Sequence, residues 1–107
     1  MARTFFAMLF AATAVAVGAA SAQELGDPAR GLAYAEAICT ECHAVAAGEP
    51  QSPLPEAPAF QAIAEEPSAT ELSLIVFLRT PHATMPNLIV DTADARDLIA
   101  YILSLRR

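Results

Sequence analysis

The amino-acid sequence predicts an all-α domain of three main helices joined by proline-rich loops. Three observations lead to this fold class. Apolar residues recur at helical spacing in segments that begin at good helix caps. The eight prolines fall mostly between those segments, where they interrupt regular structure. The single apolar run that could form a strand has no partner strand elsewhere in the chain.

The first helix is predicted to begin at Asp27 and Pro28. Aspartate is a good N-cap, and proline is tolerated at the first helical position because its missing N–H would have no partner there. The segment from Ala29 to Ile38 is rich in alanine and leucine, which favour helix. One face at helical spacing carries Gly31, Tyr34 or Ala35, and Ile38.

The middle of the chain is predicted to hold a long loop and a second main helix. Four prolines and one glycine between Ala47 and Pro58 prevent regular structure, and Phe60 to Ala64 forms at most a short helical turn. A capping box from Ser68 to Glu71 is predicted to start the helix. The apolar run from Leu74 to Leu78 would also suit a short buried strand, but the cap favours helix.

The final helix is predicted to start at Asp91, after a loop from Thr80 to Val90. Asp94 lies in its first turn and Arg106 and Arg107 at its end, a charge order that complements the helix dipole. Its inward stripe consists of Leu98, Tyr101, Ile102 and Leu105.

Residues 1–22 have the three parts of a secretory signal peptide. A short, positively charged start precedes an apolar run from Phe5 to Val17 and the small residues Ala20-Ser21-Ala22. This order predicts cleavage before Gln23 and a periplasmic domain of residues 23–107. The alternative is an uncleaved anchor, because the uncharged stretch is just long enough to span a bilayer.

The most informative motif is Cys-x-x-Cys-His at residues 39–43, the attachment signature of c-type haem. The thiols of Cys39 and Cys42 can add to the two vinyl groups of one haem, and His43 is then held beneath the iron. A zinc site would need further ligands, and only His82 is available outside the motif. A thioredoxin-like dithiol would need a βαβ setting, which this chain does not show, and a plain disulfide would not need the histidine.

The chain resembles the class I cytochrome c family along the whole of residues 23–107. The resemblance rests on the helix that leads into Cys39–His43, the looped middle, Thr84-Met85-Pro86-Asn87, and the final helix from Asp94 to Leu105. It implies the cytochrome c fold around one covalent haem, with Met85 as the second axial ligand. It also implies that Gly31 lets the first and last helices approach closely.

Met85 is singled out by the residues as well. It is the one methionine of residues 23–107, and Pro86 restricts it to extended conformations. Met/His ligation raises the reduction potential and closes the iron to substrates, which suits an electron carrier. Two alternatives are that Met85 fills a gap in the core, or that His82 binds the iron instead.

His43 needs an acceptor for its second ring nitrogen to keep the ring in a fixed orientation. The resemblance implies the carbonyl group of a proline segment. Pro53, Pro55 and Pro58 are the candidates, with Pro58 favoured because the apolar residues Ala59 and Phe60 follow it.

Charge limits the possible partners. Without Arg3, the chain has five arginines and no lysine against twelve acidic residues, a net charge near −7. Nucleic acid and anionic membrane surfaces would repel such a domain, so neither nucleic-acid binding nor stable membrane insertion after cleavage is expected. A redox donor or acceptor with a basic docking face would be attracted.

The predicted function is that of a monohaem c-type cytochrome, a one-electron carrier between redox proteins and not an enzyme. The chain has no second haem motif, no nucleophile–base pair and no open metal site. One alternative is the cytochrome subunit of a larger periplasmic dehydrogenase or oxidase. The other is a gas-binding haem sensor in which Met85 does not hold the iron.

Overall fold

The first helix begins where the sequence predicts. In the computed structural model, which describes residues 26–81, 85 and 88–107, the described chain contains four helices and no strand: α1 Pro28–Ile38, α2 Phe60–Glu65, α3 Glu71–Arg79 and α4 Thr92–Ser104. The all-α prediction is therefore confirmed. The predicted signal peptide lies outside the described residues.

Helices α1 and α4 cross so closely that their backbones touch. A Cβ atom on Gly31 would lie 1.9 Å from the carbonyl oxygen of Asp97, so only glycine fits at this position without a shift of the backbone. Ala35, one turn later, is fully buried. The predicted close approach at Gly31 is confirmed.

A polar clasp closes the outer end of this crossing. The Arg30 guanidinium Nε donates to Asp97 Oδ2 at 2.8 Å, and the backbone N–H of Asp27 donates to Asp97 Oδ1 at 2.7 Å. Asp27 also caps α1 by accepting from the N–H of Ala29 at 2.8 Å. The Arg30 hydrogen bond, followed by the Asp27 N–H, holds the pKa of Asp97 below its ordinary value.

The buried core lies between α4, α1 and the middle of the chain. The inward stripe predicted for α4 is confirmed, because all four of its members are buried. Asp91 caps α4 by accepting from the N–H of Thr92 at 2.6 Å. The core cluster consists of Ala35, Val45, Phe60, Ala64, Leu98, Tyr101, Ile102 and Leu105.

The short helix α2 is held by two side chains whose contacts the sequence did not predict. Buried Gln61 donates to the Leu105 carbonyl at 2.7 Å and accepts from the N–H of Gly48 at 3.0 Å. Arg106 was expected to complement the α4 dipole, but α4 ends at Ser104. The Arg106 guanidinium donates instead to the carbonyls of Ala64 at 2.8 Å and Ala69 at 2.6 Å.

Helix α3 forms as predicted, but its capping box is displaced by two residues. Thr70 is the N-cap, its hydroxyl accepts from the N–H of Ser73, and the Ser73 hydroxyl accepts from the N–H of Thr70. The predicted box from Ser68 to Glu71 is wrong because Ser68 precedes the helix by three residues. None of the residues of α3 is buried.

Candidate functional site

The Cys-x-x-Cys-His motif lies on a helical turn that continues from α1. The N–H of Cys39 donates to the carbonyl of Ala35 at 2.8 Å, and the N–H of His43 donates to the carbonyl of Cys39 at 2.9 Å. Residues three apart on such a turn share a face, so the side chains of Cys39 and Cys42 project to the same side. Neither cysteine is in a disulfide.

All four predicted site residues line one cavity of about 660 Å³: Cys39, Cys42, His43 and Met85. The size is typical of sites that hold a small organic cofactor. The walls are mainly apolar, with Leu74, Phe77 and Leu78 contributed by α3 and Leu98 by α4. The fold therefore brings the attachment motif and the distant methionine to the same cavity.

The orientation of His43 is fixed by the proline-rich loop. Its Nδ1 atom lies 2.7 Å from the carbonyl oxygen of Pro58. A carbonyl oxygen can only accept, so Nδ1 carries the proton and the lone pair of Nε2 is the one available to a metal. The prediction of Pro58, rather than Pro53 or Pro55, is confirmed.

The residues after His43 are held by hydrogen bonds from the loop and from the first residue of α2. The N–H of Phe60 donates to the carbonyl of Ala44 at 2.9 Å, and the Ser52 hydroxyl accepts from the N–H of Ala44 at 3.0 Å. The Phe60 ring contacts the imidazole of His43, with centroids 5.3 Å apart. Sequence reasoning gave Phe60 no role at the site, and the only available signal was its position two residues after Pro58.

The thiol of Cys39 is held in its neutral form. Burial, with a smaller contribution from neighbouring Cys42, raises the pKa of Cys39 to about 11. Burial, followed by the nearby Cys39 and Asp94 side chains, also raises the pKa of the Tyr34 hydroxyl. The surroundings of the Cys39 side chain therefore favour uncharged groups.

These donors fit a covalently bound haem. Two thiols on one face of a turn can form two thioethers, and the Nε2 lone pair of His43 is available as one axial ligand. The thioether of Met85 is a soft donor that can complete the coordination of the iron. The alternative ligand His82 lies outside the described residues.

Three carboxylates are found where the cavity meets solvent. Glu41, Glu56 and Glu66 line it, and all three are exposed. No arginine lies among the described residues that line this cavity. The approach to the site is therefore negatively charged, in line with the net charge of the chain.

Among the residues that the structure describes, no helix is both long and apolar enough to cross a membrane. The same described residues contain no group of three or more His, Cys, Asp or Glu side chains that could hold a metal ion. Arg79, at the end of α3, donates to the Thr92 hydroxyl at 3.2 Å.

The chain is similar to a known protein over most of its length. The chain is 34% identical over 93 residues to Cytochrome c-552 of Bradyrhizobium diazoefficiens, a match that covers 86% of this chain and 88% of that protein. No protein-family model matches the chain. No solved structure matches it at a significant level.

Proposed function

Since the chain belongs to the class I family of c-type cytochromes, we propose that it carries single electrons between redox proteins and is not an enzyme. Its cofactor is a covalently attached haem c. When bound, this haem supplies one-electron exchange between ferric and ferrous iron. The observation that carries the proposal is the convergence of Cys39, Cys42, His43 and Met85 on one cavity.

We assign haem attachment to Cys39 and Cys42. Each thiol would hold the haem through one thioether bond, formed by addition of S–H across a vinyl group without a net gain or loss of electrons. The common face of the helical turn from Cys39 to His43 supports this assignment, because both sulfurs can reach one planar ring system. The thioethers also supply the staple that a short chain needs.

We assign the iron ligands to His43 and Met85. The Pro58 carbonyl accepts the Nδ1 proton of His43 and so leaves Nε2 to bind iron with increased basicity. Met85 lines the same cavity, and a Met ligand raises the reduction potential and excludes external ligands. This pair of ligands suits electron transfer better than gas binding.

The three exposed carboxylates at the cavity mouth support a partner with a basic docking face. Glu41, Glu56 and Glu66 would attract such a face to the edge of the haem and would repel acidic proteins. Association with the partner is expected to slow as the salt concentration rises. We further propose that residues 1–22 are a signal peptide and that residues 23–107 act in the periplasm.

A second candidate is the cytochrome subunit of a larger periplasmic dehydrogenase or oxidase. The observation that favours it is the exposed apolar pair on α3, Leu72 and Val76, which does not line the cavity. Co-purification with a large subunit from the native source would distinguish this candidate from a free carrier.

The test is an absorption spectrum of the reduced holoprotein before and after addition of carbon monoxide. The spectrum of the wild type is expected to stay unchanged, and that of Met85→Ala to shift as carbon monoxide binds. The potential of Met85→Ala is also expected to fall substantially, because the methionine ligand favours ferrous iron. A wild type that binds carbon monoxide readily would contradict the carrier function and favour gas sensing.

A further inference from the structure

We propose that Tyr101 is a positioning residue for His43, acting across the core from α4 through Val45 and Phe60. The inference rests on the proposed function only in taking His43 as an iron ligand. Its observations are separate: a buried hydrogen bond and a chain of ring contacts connect the two residues.

The first connection is a hydrogen bond to the segment that follows His43. The Tyr101 hydroxyl donates to the carbonyl oxygen of Val45, two residues after the histidine. Tyr101 is 7% exposed and Val45 5%, so water does not compete for this carbonyl. The bond therefore connects the segment that follows His43 to α4, across 56 positions of the chain.

The second connection runs through Phe60. Its ring centroid lies 5.3 Å from that of His43 and 6.5 Å from that of Tyr101, and both pairs are tilted, a favourable geometry for aromatic rings. Phe60 is buried and its N–H bonds to the carbonyl of Ala44. Tyr101 therefore supports the ring that contacts the imidazole.

Both connections act on the hydrogen bond between His43 and Pro58. Loss of the Tyr101 hydroxyl leaves the buried carbonyl of Val45 without its donor, and the segment from His43 to Val45 must move to find another. That movement lengthens the bond between His43 Nδ1 and the Pro58 carbonyl, which is 2.7 Å. A more weakly held imidazole is a poorer donor to ferric iron, so the reduction potential rises.

Tyr34 offers a matched control on the facing helix α1. It packs against the same core cluster and is half-buried, but among the described residues its hydroxyl has no hydrogen bond. Tyr34→Phe and Tyr101→Phe each remove one hydroxyl oxygen from a tyrosine of the core region, one on α1 and one on α4. Only Tyr101→Phe removes a bond that leads to His43.

The experiment measures the reduction potential of each holoprotein and, by NMR, the solvent exchange rate of the His43 Nδ1 proton. Tyr101→Phe is expected to change the ratio of reduced to oxidised protein at a fixed potential by about threefold, toward the reduced form, and to speed the exchange. Tyr34→Phe should change neither. A Tyr101→Phe protein with lower thermal stability but wild-type potential and exchange would overturn the inference.

A second variant keeps the test decisive if Tyr101→Phe does not accumulate. Phe60→Leu removes both ring contacts and retains the Tyr101 hydroxyl, and it should raise the potential and speed the exchange in the same direction. Wild-type values in Phe60→Leu would then refute the inference. A wild type whose iron is not bound by His43 would instead refute the proposed function, and the two failures are therefore distinguishable.

Discussion

The crossing of α1 and α4 is tightly packed, whereas helix α3 is largely exposed. At the crossing the backbones touch, Ala35 is fully buried, and Leu98 is only 2% exposed. Helix α3 has no buried residue; its outer face exposes Leu72 by 72%, and its inner face lines the cavity with Leu74 and Leu78. The apolar residues at the crossing therefore pack against protein, whereas the inner face of α3 lines the cavity.

The difference shows where the stability of the domain comes from. The crossing is stabilised by direct burial of apolar side chains, the main favourable term in folding. The inner side chains Leu74 and Leu78 of α3 pack against the core cluster and are only partly buried, and a haem held in the cavity would cover more of their apolar surface. The cofactor is therefore expected to act as part of the core on this side.

The largest effect is expected from adding one methyl group at the crossing. Gly31→Ala would place a Cβ 1.9 Å from the Asp97 carbonyl oxygen, and neither backbone can move without separating the helices. We expect a loss of more than about 3 kcal/mol in the free energy of unfolding, measured by denaturant titration of the holoprotein.

Gly48→Ala provides the matched control. Gly48 has φ +73°, and a Cβ there would meet nothing within 4 Å. The substitution should cost only about 1 kcal/mol, from backbone strain. Equal losses in the two variants would show that the close approach at Gly31 does not stabilise the fold.

The next prediction compares the same substitution at two leucines, one in each region. Leu98→Ala should cost about 2–5 kcal/mol, because Leu98 is buried against α1 and also lines the cavity. Leu72→Ala should change the stability by less than about 0.5 kcal/mol, because its side chain is mostly in solvent. Thermal unfolding of both holoproteins provides the measurement, and a large loss in Leu72→Ala would mean that a partner or a second copy covers α3.

The smallest effect is expected at the polar clasp. The pKa of Asp97 is held below its ordinary value of 3.8, chiefly by the Arg30 hydrogen bond, so its ionised form is favoured in the folded state. The stabilisation is present above the unfolded-state pKa and is lost as the pH falls through the lower folded-state pKa.

Asp97→Asn should therefore lower the midpoint of thermal unfolding at neutral pH, and the difference from wild type should vanish as the pH falls well below 3.8. Glu49→Gln, an exposed loop residue, serves as a control for the change in net charge. If the difference in the unfolding midpoint stayed the same at low pH, the charge of Asp97 would not be what stabilises the fold.

The sequence was a good guide wherever one local rule decided the outcome. Asp27 and Pro28 start α1, Asp91 caps α4, and the stripe from Leu98 to Leu105 is buried, because capping and periodicity are local. The choice of Pro58 as the acceptor for His43 followed from the apolar residues after it.

Predictions failed where two local choices were equally good or where the partner lies far along the chain. Ser68 and Thr70 are both acceptable caps, and Thr70 is used because Ser73 returns its bond. Arg106 bonds to carbonyls 37 and 42 positions away, which no local pattern can indicate. The sequence placed Tyr101 in the inward stripe of α4 but gave no sign of its bond to Val45.

The contact between α1 and α4 also sets the order in which the domain can be completed. The N–H of Asp27 finds its acceptor 70 positions later, so α1 lacks its main packing surface, α4, until nearly the whole chain has been synthesised. Closing so long a loop is slow, and the nascent chain stays open while it leaves the ribosome. An open chain is the form that a narrow translocation channel can pass, which suits the export that we propose for this protein.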